Sequence, residues 1–124
     1  MKKITLFVAA IALIFNVCVT AQTGQKQADQ TKNIPSNVMT VIDRSCSMCH
    51  YEKSQGMAKM KVNFSKWNEY SSDKIVAKGK AVCDEVSKNK MPPKKFLENN
   101  PKATLSDAEK KLICDWVGTL KSDK

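Results

Sequence analysis

The sequence predicts an all-α domain. Three stretches place their apolar residues at helical spacing, a capping box heads the last of them, and no run alternates apolar and polar residues with period two. The 124 residues suit one domain. With 42% hydrophobic residues, four glycines and four prolines, the chain as a whole is neither collagen-like nor low-complexity.

The N-terminus opens on Met1-Lys2-Lys3, followed by an apolar run from Ile4 to Val19 broken at Asn16, and then Val19-Thr20-Ala21. A basic start, an apolar stretch and small residues form the layout of a secretory signal peptide, assigned here to residues 1–21. The run is shorter than the roughly 20 residues a membrane span requires. An uncleaved anchor and a lipoprotein signal at Cys18 are the alternatives, the second opposed by Val17, where a small residue is needed. The expectation is an exported, periplasmic protein with no membrane span after cleavage. Residues 22–33 (QTGQKQADQTKN) contain no aliphatic side chain larger than alanine and cannot offset their ordering entropy, so they read as a flexible tether. The folded domain is assigned to residues 34–121.

Within it, Pro35 suits a first helical turn, and Val38, Val41 and Ile42 follow at i, i+3, i+4, predicting a helix from Pro35 to about Cys49. Residues Tyr51 to Ser71 are polar and irregular, with Phe64, Trp67 and Tyr70 three apart, and read as a loop holding a short helical turn. Asp73 opens a second helix carrying Ile75, Gly79, Val82, Cys83 and Val86 on one face, ended by Met91-Pro92-Pro93, because proline disfavours helical geometry in the residue before it. Ser106-Asp107-Ala108-Glu109 is a capping box heading the last helix, with Leu112, Ile113, Trp116, Val117 and Leu120 as its stripe.

Loss of Cys18 with the signal leaves Cys46, Cys49, Cys83 and Cys114, an even set in an oxidising compartment. Cys46-Ser47-Met48-Cys49-His50 is C-x-x-C-H, the attachment sequence for c-type haem. Two thiols at i and i+3 can each add across a porphyrin vinyl group, and the next residue sets an imidazole beneath the iron. His50 is the single histidine of the chain, and it stands where haem attachment needs one. That same fact excludes bis-histidine haem and multi-histidine metal sites within one chain. A thioredoxin-like C-x-x-C would call for a βαβ setting. A structural zinc site would call for a second C-x-x-C or a histidine pair.

The sixth iron position falls to methionine, lysine or nothing. Met91 is the best candidate, far enough from His50 to return over the other haem face and stiffened by Pro92 and Pro93; a Met–His pair raises the potential. Met57, Met60, a lysine or an open position are the alternatives, and an ordinary core role for Met91 is the plain one. Cys83 and Cys114 each lie toward the edge of a helix's apolar face, so an interhelical disulfide is expected, with two buried free thiols as the other possibility. Val38, Val41 and Ile42 are expected to cover one side of the haem, with Val82, Val86, Leu112, Ile113 and Trp116 around it. Trp67 or Trp116 is a candidate donor to a haem propionate, core packing being the alternative.

C-S-M-C-H, V-N-F-S-K-W-N-E-Y-S, K-M-P-P-K-K-F and L-S-D-A-E-K-K-L-I-C-D-W-V together resemble the short haem-binding domain of exported cytochrome-c-like proteins, over about Ser36 to Leu120. The resemblance implies a compact cytochrome c-like helical domain wrapped around one covalent haem. It implies thioether links at Cys46 and Cys49, His50 and Met91 as axial ligands, and Phe64 and Trp67 packed near the haem. This chain has only Tyr51 to Val62 where many members carry a longer insert with a second histidine.

The formal charge of +9 includes Lys88, Lys90, Lys94 and Lys95 around Met91. Such a basic collar would steer acidic redox partner proteins, or it is simply a solvated surface. A single arginine and no basic stripe interleaved with aromatics argue against nucleic acid. The expected function is a monohaem electron carrier rather than an enzyme. A peroxidase-like haem subunit and a haem-based sensor, both with an open sixth site, are the alternatives.

Overall fold

A computed structural model describes residues 32–122 of the chain. The expected signal peptide and residues 22–31 of the expected tether lie outside the described residues. The fold is helical, and the described residues contain no strand. None of their helices is long and apolar enough to cross a membrane.

Helix α1 (Ser36–Ser45) follows Pro35, whose φ of −58° and ψ of 148° place it at the N-cap rather than inside the first turn. Its apolar face buries Val38, Val41 and Ile42 completely or nearly so. Each such side chain contributes about 1.5–3 kcal/mol of transfer free energy. The helix predicted from Pro35 to Cys49 is in fact two. Cys46 breaks helical geometry at φ −123°, and the short α2 (Ser47–His50) follows it.

The segment Tyr51 to Ser71 holds more order than one turn: α3 (Ala58–Lys61) and a 3₁₀ segment, Phe64–Glu69, kinked at Lys66. Asn63 caps that segment, its side-chain oxygen accepting from the Ser65 N–H at 3.0 Å.

Helix α4 (Ser72–Ser87) does not run on to the prolines. It stops at an αL residue, Asn89, with φ 55°. Asn89 N–H donates to the Val86 carbonyl at 3.1 Å and Lys90 N–H to the Glu85 carbonyl at 2.9 Å. This is the Schellman closure, in which asparagine tolerates the left-handed turn better than most residues. The prolines act later, before α5 (Lys94–Asn99) and a 3₁₀ turn at Pro101–Ala103, neither of which has enough residues to show a period. Helix α6 (Asp107–Thr119) starts on the predicted capping box, with Ser106 Oγ accepting from Glu109 N–H and the Glu109 carboxylate accepting from Ser106 N–H.

Helices α4 and α6 pack against each other so closely that a Cβ on Gly79 would lie 2.5 Å from Leu120 Cδ1. The Cys83 and Cys114 sulfurs, one on each helix, lie at disulfide distance with Cα atoms 5.0 Å apart. Arg44 on α1 pairs with Glu109 at 2.8 Å and joins the start of α6 to α1. The core between these helices contains Ile42, Ile75, Ile113, Trp67 and Trp116. Ile34 packs against its edge, and Trp67 Nε1–H donates to the Lys32 carbonyl at 2.9 Å.

Candidate functional site

Beside this core lies a cavity of about 390 Å³ with almost wholly apolar walls. One wall comes from the break at Cys46 and from α2: Cys46, Met48, Cys49 and His50 all line the cavity. The opposite part of the lining comes from Val82, Glu85 and Val86 on α4, then Met91, Pro92, Pro93 and Phe96. The C-x-x-C-H residues Cys46, Cys49 and His50 therefore share one cavity with Met91, 41 residues further along the chain.

Neither Cys46 nor Cys49 is disulfide-bonded. Burial, reinforced by the neighbouring Cys49 and opposed by Arg44, pushes the Cys46 thiol up to about 12. Such a thiol stays protonated at neutral pH, unlike the activated thiolates of disulfide oxidoreductases. His50 is held by its ring: Nδ1 lies 3.0 Å from the Val62 carbonyl. A carbonyl can only accept, so the proton sits on Nδ1 and the Nε2 lone pair is left for a metal. Metal-ligating histidines are oriented by this kind of contact. The turn after His50 is fixed by Ser54, whose hydroxyl donates to the Ser47 carbonyl at 3.0 Å and accepts from Tyr51 N–H at 3.2 Å.

Met91 is 36% exposed and follows directly from the Schellman closure, its N–H donating to the same Glu85 carbonyl at 3.3 Å. Met57 and Met60 are 74% and 72% exposed and stand outside the cavity lining. Of the methionines weighed as iron ligands, the structure brings only Met91 into the lining with His50.

Neither Trp67 nor Trp116 lines the cavity. Phe64 takes the wall, its ring edge-on to His50 at 6.1 Å between centroids, and Trp67 stacks behind it at 5.8 Å. Trp67 in turn meets Trp116 at 5.3 Å. The order follows from the 3₁₀ segment, in which residues three apart share a side and the first of them lies nearer α2. Trp67 Nε1–H is bonded to the Lys32 carbonyl, and Trp116 Nε1 is buried with no hydrogen-bond partner among the described residues. Val38, Val41, Ile42, Leu112 and Ile113 likewise pack in the core behind the cavity, and only Val82 and Val86 of the aliphatics expected around the haem reach it. Phe96, which ends the K-M-P-P-K-K-F stretch, also lines the cavity, and the Val62 carbonyl, being backbone, has no side-chain signature.

The residues fit a haem. The walls are apolar, the donor set combines two thiols, an imidazole with a free Nε2 and a thioether, and the buried Ser45 hydroxyl in the lining has no hydrogen-bond partner among the described residues. Lys88, Lys90, Lys94 and Lys95 are all exposed.

No curated protein and no solved structure matches the chain significantly. A family match covers residues 54–119, which include the Phe64 wall, all of α4, Met91 and α6, and begins four residues after His50. Over more than half its length, therefore, the chain is a member of the haem-binding domain family, and the protein is a haem-binding protein.

Proposed function

We propose that this protein is a monohaem c-type cytochrome working as a periplasmic electron carrier. One observation carries the reading: Cys46, Cys49, His50 and Met91 line a single apolar cavity, with His50 turned so that Nε2 is available. Cys46 and Cys49 would hold the haem through thioethers, His50 through Nε2 and Met91 through its sulfur. When bound, the haem supplies a one-electron Fe(III)/Fe(II) couple.

The chain's own residues do the rest. Phe64, Val82, Val86 and Phe96 exclude water, which favours a fixed ligand set in both oxidation states. The Val62 carbonyl holds the imidazole in one orientation. Glu85 anchors the backbone of Met91 from α4, so the thioether is delivered by a rigid helix end. Lys88, Lys90, Lys94 and Lys95 surround the Met91 segment and would receive an acidic redox partner. No second histidine exists to act as a distal acid–base group, which favours a carrier over a peroxidase-like enzyme or a ligand-exchanging sensor.

The test is intact mass and spectroscopy on protein exported from cells competent in cytochrome maturation. The expected product carries one covalent haem and a low-spin spectrum with the near-infrared band of sulfur ligation, lost in Met91→Ala. A colourless product with the mass of bare polypeptide would overturn the reading. A high-spin iron that readily binds carbon monoxide would replace the carrier with an enzyme or sensor.

A further inference from the structure

The carbonyl that holds His50 belongs to the Val62–Asn63 peptide, and the other end of that same peptide is also bonded. Asn63 N–H donates to Tyr70 Oη at 3.0 Å. His50 Nδ1–H, the peptide and the Tyr70 phenol oxygen therefore form one directed chain, each link donating to the next. A peptide that donates through N–H becomes a better acceptor through C=O, because each bond polarises its neighbour, by something like 10–30% per bond. From this geometry we infer that Tyr70 is a positioning residue for the iron ligand: it strengthens the His50–Val62 hydrogen bond from two links away and thereby sets the electron-donating power of Nε2.

The surroundings of Tyr70 keep its oxygen in place. Its ring meets Trp67 edge-on at 6.1 Å, and Lys78 Nζ lies over the ring at 4.8 Å. The peptide is held from the side-chain direction too. Asn63, 5% exposed, caps the 3₁₀ segment through its oxygen and donates through Nδ2 to Glu52. Glu52, at its end of this clamp, is held below the usual carboxylate range by Asn63 first and Lys66 second. The N-F-S-x-W stretch thus has a division of labour: Asn63 fixes the peptide, Phe64 walls the cavity, and Trp67 braces both Phe64 and Tyr70. A stronger bond at Nδ1 makes the imidazole a better donor and favours the oxidised metal. Loss of the Tyr70 oxygen should therefore raise the midpoint potential.

This inference rests on the haem reading for its effect on potential, but its first link can be read without iron. His50 is the only histidine, so ¹⁵N-histidine labelling gives the signal of one ring. In Tyr70→Phe the His50 Nδ1–H resonance should move upfield and exchange with solvent about twofold faster or more. The midpoint potential of the haem-loaded protein should rise while its low-spin spectrum is kept. If Tyr70→Phe does not fold, 3-fluorotyrosine in a Tyr51→Phe background leaves Tyr70 as the only tyrosine and weakens its oxygen as an acceptor without removing it. That protein should shift both readings in the same direction by less. An unchanged Nδ1–H signal in a folded variant overturns the inference whether or not haem is attached. A bare-polypeptide mass overturns the carrier reading and leaves the Nδ1–H result to be judged alone.

Discussion

Replacing both Cys83 and Cys114 by alanine tests how much of the site depends on the link between α4 and α6. The two cysteines are 31 residues apart, and closing a loop of that size removes unfolded-chain entropy worth about 3.7 kcal/mol at 25 °C in the chain-entropy account. Domains of this size have total stabilities of only about 5–15 kcal/mol, so the link is a large share. With a urea m-value near 1.5 kcal/mol per molar, the midpoint should fall by about 2–3 M. The site should feel the change through one helix: α4 bears Val82, Glu85 and Val86 of the cavity wall, and the Glu85 carbonyl holds Met91 N–H. Cys83 lies two residues before Glu85. Urea unfolding, followed by fluorescence of the two tryptophans and repeated with reductant on the unmodified protein, measures the effect. A midpoint that moves by less than about 0.5 M would refute the account, as would a reductant that leaves the unmodified protein unshifted while the alanine variant is destabilised.

Two further outcomes are expected. The Glu109 carboxyl is held down to about 2 by the Arg44 guanidinium first and then by Ser106, against an unperturbed value of 4.5. A depressed folded-state value means this stabilisation is complete above about pH 4.5 and is lost as pH falls toward 2. Glu109→Gln should therefore cost about 1 kcal/mol at pH 7 after allowance for solvent screening, and the gap to the unmodified protein should close between pH 4.5 and 2 in acid-dependent urea melts. Changing Lys88, Lys90, Lys94 and Lys95 together to glutamine should slow electron exchange with an acidic redox protein at low salt by tenfold or more. The difference should shrink as ionic strength rises past about 0.15 M in stopped-flow traces. Equal rates at low salt would remove the docking role of these lysines.

Much of the fold could be read from local chemistry. The Ser106 capping box marked the start of α6 because both of its hydrogen bonds are made within four residues. The buried stripes of α1 and α4 followed the helical period because each helix buries one face. The conspicuous prolines point to a later end for α4 than the one at Asn89, since an asparagine in αL leaves a weak sequence signal until its backbone is seen. Helix α5 escaped because six residues give too few turns to reveal a period. The break at Cys46 is likewise tertiary: nothing in S-C-S forbids a continuous helix.

The sequence alone determined the chemical inventory: two thiols three apart, the single imidazole beside them, a methionine before paired prolines and two further cysteines. Those are matters of residue identity and short spacing, which survive without coordinates. Only the tertiary structure decided which of these residues share a cavity, that Phe64 and Phe96 rather than the tryptophans wall it, and which nitrogen of His50 carries the proton. The reason is that packing and backbone hydrogen bonds join groups distant along the chain. The Val62 carbonyl and the Tyr70 oxygen are on the path to His50 because of where the peptide between them lies, and backbone atoms are the same in every residue.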